Sequence, residues 1–571
     1  MRPDVGRRGA GHAIIGALAL LLCTSHIAFA QRAGDNAAAA ADDAFGTRVG
    51  NESIGLYGAY DARGFSPAQA GNVRIEGLYF DQQSQLNNRI SGGNTVRVGI
   101  GAQSYPFPAP TGIADFSLRL PGDQTVTTAY AGVDGYTSVE LQADTQMPVI
   151  TDKFSVGFGA RWGSYENDAA VRNSGWDTGV VARWRMEDAE IIGFWGRWQG
   201  NCCKQQPVVF TGGNYYAPRT ARRQYFGQDW TGARGFEQNF GALARVRTWG
   251  DWTLRAGLFR SSSGTDYSFG DFIGNVQPNG VGDHVIVASP AQLFGSYSGE
   301  VRLSRVITEG DFRHTINIAF RGRDVERYYG GGDEFDAGTA LVGQRVVIPK
   351  PTFTFGPTTR DHTRQGTAGV AYAVTWLGVG DFGVGLQKTF YHRDIAPPGV
   401  SRVSSASSPI LYNATASVFV SKTLALYAGY TKGLEESGVA PPNAANRGEA
   451  MPASLTTQID GGFRYVITPN LKLIAGLFQV EKPYYNLNAT NVYGALGAVR
   501  HRGAEISLAG KISDSISVVG GVIFIQPRLS GEPIDRGLVG RIPPGPRPRF
   551  GLLSVTYQPP SWGGFALDAQ I

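Results

Sequence analysis

Cysteine is nearly absent: three in 571 residues are too few for a disulfide framework or a four-cysteine zinc site. One of them, Cys23, lies in a segment expected to be cleaved off, which leaves the adjacent pair Cys202 and Cys203 as a candidate vicinal disulfide or two thiols. Charge is scarce as well, at 17% of residues against the usual ~25%. The net charge of +5 is slight and forms no basic stripe, so a nucleic-acid partner is not expected. The seven histidines (12, 26, 284, 314, 362, 392, 501) are scattered without metal-ligand spacing, and no metal or other cofactor is expected. Long apolar runs are missing too. The longest, residues 13–22 (AIIGALALLL), is half the ~20 residues of a membrane helix.

Glycine and aromatics are plentiful instead. The 78 glycines are about twice the usual ~7%, and aromatics reach 11%. Few charges, much glycine and many aromatics without long apolar runs indicate alternating strands. The N-terminus is an export signal: Arg2, Arg7 and Arg8, then the apolar core, then Ala28-Phe29-Ala30 before Gln31. Residues 1–30 are therefore expected to be removed, and residues 31–44 to form a flexible lead-in.

From about residue 124 onward, segments of roughly ten residues alternate apolar and polar, the pattern of strands that cross a membrane. In residues 175–185 one face carries Trp176, Thr178, Val180, Ala182 and Trp184, and the other Asp177, Gly179, Val181, Arg183 and Arg185. Residues 503–509 place Ala504, Ile506 and Leu508 outward and Glu505 and Ser507 inward. Many of these strands exceed the five to six residues typical of soluble sheets. Trp198, Trp249, Trp252, Trp376 and Tyr391 are read as interfacial girdles. Short turns such as 186–187, 250–251 and 468–470 alternate with long stretches read as irregular: 199–233, 263–293, 325–362, 393–410, 434–455, 482–499 and 528–548. This is the short-turn, long-loop alternation of an outer-membrane barrel, whose partner is lipid. The expected fold class is all-β, an antiparallel transmembrane barrel over 123–571 with a short plug over 45–122.

Two stretches carry a resemblance. Residues 61–82 (DARGFSPAQAGNVRIEGLYFDQ) hold an Arg-Gly-Phe element, Arg63-Gly64-Phe65, followed by an Asn-to-Glu-Gly element formed by Asn72, Arg74, Glu76 and Gly77. Residues 430–508 hold YTKGLEESGVAPPNAANRGEAMPASLTTQIDGGFRY, LKLIAGLFQVEKPYY and RHRGAEISL in order. These resemble the plug signature and the barrel elements of TonB-dependent outer-membrane receptors. The resemblance implies a plugged barrel of the twenty-two-strand type and a monomeric receptor. It also implies uptake of a ferric siderophore or similar metal chelate, and a TonB-type energy-coupling partner. The alternative is a passive pore with a non-sealing plug. No β-rich segment is read before the Arg-Gly-Phe element, and no TonB box is read between Gln31 and Gly50.

The charges of such a plug must be paired within the lumen, because an unpaired buried charge is costly. Glu505, inward on its strand, is the expected wall partner of a plug arginine. The loop 199–233 is the candidate for ligand contact: Tyr215, Tyr216, Tyr225, Phe226 and Trp230 alternate with Arg219, Arg222 and Arg223. Aromatic faces and guanidiniums suit an anionic aromatic chelate. The bland reading, loops gripping one another or lipid headgroups, competes. Patterns of catalysis fail: Gly378–Gly383 spells a dinucleotide motif but sits in a hairpin turn, so no enzyme is expected. Nineteen candidate strands are counted, from 124–132 to 564–571. Nineteen is odd where a bacterial barrel is even; against the twenty-two strands that the resemblance implies, about three are expected to be missing, giving either a fragmentary sequence or a wall open between its first and last strands.

Overall fold

The computed structural model describes residues 37–571 apart from 51, 203, 205, 442 and 564. The expected signal peptide lies outside the described residues, as does Cys203.

Alternation along each strand decides which side chains meet lipid. In Arg172–Arg185, Asp177 and Val181 are buried while Trp176 and Trp184 are exposed on the opposite face. Leu258, Phe320, Val370 and Leu477 are likewise exposed large hydrophobics on the outer surface, as expected where apolar side chains face hydrocarbon and not water. Two of the aromatics read as girdles turn inward instead. Tyr391 is 2% exposed, and Trp198 stands directly opposite the lumen-facing Asp177. Their positions near strand ends look like a girdle in sequence, but their parity places them inside.

The wall is a single antiparallel sheet. Its order contains twenty-three strands; four of them, Val208–Thr211, Val281–Ser289, Asp333–Leu341 and Val403–Ser407, stand beyond the wall on the outer side and leave nineteen. The ladders are long: Phe312–Tyr329 pairs with Thr359–Trp376 along its whole length. The order is that of a closed barrel, with Leu567–Gln570 coming next to Val126–Asp134. This corrects the expectation of an open wall. The closing strand has four residues, all exposed, and its described pairs are with Ser554–Tyr557. Closure therefore rests on strand order and not on a long shared ladder.

Segments 263–293 and 325–362, read as irregular, also need correction. Trp252–Val276 runs for 25 residues, and its outer part pairs with Val281–Ser289, which pairs in turn with Asp333–Leu341. Val208–Thr211 adds in parallel on the other side. The result is a four-stranded outer sheet.

Inside the barrel sits a six-stranded plug sheet of short strands: Thr47–Val49, Glu52–Ile54, Val73–Ile75, Leu78–Phe80, Ser91–Arg97 and Ile113–Leu118. The hairpin formed by the first two precedes Arg63, where no strand was expected. Packed structure is present before residue 45, in the stretch expected to be a flexible lead-in: Ala37 and Ala44 are buried with Ala509 and Val519 of the wall. Where plug meets wall the lumen is locally apolar. Ile75, Leu78 and Phe80 pack with Phe194, Leu243 and Phe259, and Phe45, Leu56 and Val96 pack with Ile474, Phe478 and Ile523.

Candidate functional site

The Arg-Gly-Phe element forms a tight turn, closed by reciprocal Ala62–Phe65 backbone hydrogen bonds of 2.7 and 2.9 Å. Gly64 has φ +79°, and a Cβ there would come within 2.8 Å of His501 Nδ1, so only glycine fits both backbone and space. The turn drives Arg63 into the wall, where it is 1% exposed. Its Nη2 lies 2.5 Å from Glu505 Oε1, its Nε donates to Glu505 Oε2 at 3.2 Å, and its Nη1 donates to Asp460 at 3.0 Å. The Tyr57 hydroxyl also donates to Glu505. The guanidinium lies 4.5 Å from the centre of the Phe478 ring. Phe65 stacks on His501 at 4.0 Å, and His501 Nδ1 donates to the Arg63 carbonyl at 3.0 Å. Strand alternation brings both carboxylates inward, and Gly476, opposite Glu505 in the ladder, makes room for the Tyr427 hydroxyl.

The Asn-to-Glu-Gly element is held differently. Asn72 donates to Thr111 within the plug at 2.8 Å, and Glu76 accepts from the Leu118 N–H at 2.7 Å. The wall grips the backbone of this turn: Arg255 donates to the Glu76 carbonyl, and Arg302 to the Gly77 carbonyl at 2.9 Å. Arg74 is buried and donates to the Val73 carbonyl at 2.8 Å.

Two further ties escaped the sequence reading. Arg89 spans two wall strands, reaching Asp144 at 2.8 Å, Gln142 at 2.8 Å and Asp177 at 3.3 Å. At the outer mouth Arg323 binds both the plug's Asp81, at 2.8 Å, and Glu436, at 3.3 Å. Arg327 joins Glu436 at 2.5 Å, and Arg393 joins Asp361 at 2.5 Å and the Ser437 carbonyl at 2.6 Å. Burial alone would raise the Glu436 carboxyl, but Arg327, Arg323 and Arg393 outweigh it and hold it down at about 2. No local motif marks these residues, because their partners lie on distant strands.

The loop residues divide. Tyr215 donates to the Val276 carbonyl at 2.6 Å, Tyr225 to the Gln228 carbonyl at 2.8 Å, and Trp230 to the Ile348 carbonyl at 2.9 Å. Phe226 is buried, and Trp230 packs edge-on against Phe269. Tyr215 and Trp230 hold the loop to the outer sheet, and Tyr225 braces the loop from within. Arg223 pairs with Glu166 at 2.5 Å and lies over Tyr136 at 4.5 Å. Arg219, Arg222 and Tyr216 are exposed. Arg222, Arg223 and His284 line a cavity of about 880 Å³ beneath the loop. Among the described residues no group of three or more His, Cys, Asp or Glu side chains is placed to hold a metal ion.

No family model and no curated protein matches the sequence. Solved structures do match. The ferric preacinetobactin receptor BauA from Acinetobacter baumannii superposes with a TM-score of 0.71 at 15% identity, over 86% of this chain and 75% of that one. The closed form of the ferric-catecholate import receptor Fiu from E. coli K12 gives 0.72 at 14%, over 87% and 78%. The siderophore receptor PiuA from A. baumannii gives 0.72 at 11%, over 87% and 78%. At such identities the likeness is one of architecture, and the chain has the plug-and-barrel fold of the TonB-dependent outer-membrane receptors.

Proposed function

We propose that this chain is an outer-membrane receptor that binds a ferric siderophore or a similar anionic metal chelate at its outer mouth. It admits the chelate by displacing the plug, with a TonB-type protein supplying the energy. The observation that carries this reading is the buried joint of Arg63 with Glu505 and Asp460. Such a joint seats the plug reversibly: it is held by charge-assisted bonds that a pull can break without unfolding the wall. Arginines and aromatics at the mouth suit an anionic aromatic cargo. The cargo meets lipid-exposed walls only from within, and no catalytic step is needed.

A second reading, a passive pore, is favoured by a cavity of about 610 Å³ beside the plug, lined by Tyr57, Gln82, Gln85, Phe550, Leu552 and Ile571. Conductance in planar bilayers separates the two. A gated receptor gives a closed baseline, and a large steady current would establish the pore. Growth of a deletion strain across a panel of iron sources then tests the cargo. Equal growth on every ferric chelate would overturn the iron reading.

A further inference from the structure

Between plug and wall, three guanidiniums converge on one small cavity. Arg74 comes from the plug, and Arg302 and Arg321 from neighbouring wall strands; Tyr105, Thr367 and Gln387 complete the polar lining. Glu300 is the only carboxylate that lines it, and its oxygens are committed. Oε1 takes Arg302 Nε at 2.7 Å and Nη2 at 2.5 Å, and Oε2 takes the Tyr79 N–H at 2.9 Å. Glu300 stands opposite Arg321 in the ladder yet is turned toward Arg302. Among the described residues, no carboxylate lies within ion-pair distance of Arg74 or Arg321. Arg321 Nε is buried with no hydrogen-bond partner. Both guanidiniums rest against the same Tyr79 ring, 5.3 and 5.2 Å from its centre. A fourth cation, Arg255, stands directly opposite Arg302 in the ladder.

Nearby acids do not correct the imbalance. Asp115 accepts from Gly77 N and the Tyr105 hydroxyl, and Asp81 is paired with Arg323. Deprotonation does not correct it either. Burial and then the neighbouring Arg321 pull the Arg74 guanidinium down to about 10, which leaves it charged at neutral pH. Glu300 faces all three guanidiniums but offsets the charge of only one; the excess buried positive charge is unfavourable, and the cavity favours an anion. The cavity, about 10 Å³, is at the lower limit for a single water, so a monatomic anion enters only as the long arginine and glutamine side chains that line it give way. A phosphate, a sulfate or a carboxylate of cargo is too large.

We propose that this cavity is a binding site for a single chloride ion, held by Arg74 and Arg321 and contacted by the Gln387 amide and the Thr367 hydroxyl. Because Arg74 belongs to the plug and Arg321 to the wall, the anion bridges the two and is a third component of their joint. The assignment is independent of what the receptor carries.

Crystals of the full-length protein grown with bromide in place of chloride test it. An anomalous peak between the Arg74 and Arg321 guanidiniums is expected, and it is lost in Arg321→Gln. A water at that position, or no peak at molar bromide, overturns the proposal. Thermal unfolding in detergent gives a second readout. The wild-type midpoint rises with the logarithm of sodium chloride concentration relative to sodium gluconate at equal ionic strength. That rise falls by at least half in Arg74→Gln. Superimposable chloride and gluconate curves for the wild type overturn the proposal even if neither variant folds.

Discussion

Arg63 Nη2 and Glu505 Oε1 lie 2.5 Å apart although 442 residues separate them in the chain. Both are almost completely buried, so neither charge has water to fall back on. Removing one member of such a pair costs about 3–5 kcal/mol, whereas replacing both with apolar side chains of similar volume costs far less. Glu505→Gln is therefore expected to loosen the plug markedly, seen as protease cleavage near Arg63 at lower urea concentration. The triple variant Arg63→Met, Asp460→Leu, Glu505→Leu, which leaves neither carboxylate without its cation, recovers part of the loss. Equal protection in Glu505→Gln and the wild type would show that Asp460 alone seats the plug.

Gly64 tests the same turn through its backbone. An alanine there meets a left-handed conformation, which costs about 1–2 kcal/mol, and a contact with the His501 ring. Gly64→Ala is expected to shift plug release by about 2–4 kcal/mol, the second half coming from overpacking. A neutral result would mean that the turn and His501 move apart freely.

The outer mouth should respond to acid. A carboxyl whose folded value lies below its unfolded one contributes stability that is present above the unfolded value and lost as pH falls toward the folded one. For Glu436 that window runs from its ordinary 4.5 down to about 2. The protection of residues 435–454 against hydrogen exchange, taken relative to the intrinsic amide rate at each pH, is expected to fall through this range. In Glu436→Gln that protection is low at all pH values. Protection that does not change with pH in the wild type would refute the anchoring role.

Within the loop 199–233, exposed and engaged arginines are separable. The double variant Arg219→Ala, Arg222→Ala is expected to weaken chelate binding tenfold or more, about 1.4 kcal/mol, without changing the barrel's thermal midpoint. Arg223→Ala instead unties the loop from Glu166, which keeps Arg172 and Thr137, and raises loop mobility. Unchanged affinity in the double variant, measured by fluorescence titration with a ferric chelate, returns the loop to a packing role.

Leu477 is 68% exposed on the outer wall face. If that face meets hydrocarbon, Leu477→Arg lowers folding stability in lipid by about 2–4 kcal/mol. A change near zero would argue against membrane burial of this surface.

What was legible in the sequence follows from the period of a strand. A pleat sends alternate side chains to opposite faces, so Glu505 and Asp177 could be placed inward from their neighbours alone. The partners of Arg89 and Arg323 could not be, because they depend on register summed over many ladders. Trp198 and Tyr391 misled for a related reason: position near a strand end was given more weight than parity. In Val281–Ser289, Gly282, His284, Ile286 and Ala288 alternate inward, a regular pattern hidden in a segment judged irregular by its length. The loop arginines were visible as a cluster, but nothing local separates Arg223, which grips Glu166, from the exposed Arg219 and Arg222.

The four-stranded outer sheet has a mechanical consequence. A membrane-crossing strand needs about 9–11 residues, so more than half of the 25-residue strand Trp252–Val276 stands clear of the bilayer. Paired on both sides and pinned from within by Phe269 and Trp230, that half is a stiff awning over one flank of the mouth. A molecule arriving there meets a surface already in shape, and little motional freedom is surrendered when it docks. The opposite flank, around the brief turn at residues 488–492, carries no such outer sheet among the described residues. Approach to the mouth is thus lopsided, open from one side and sheltered from the other.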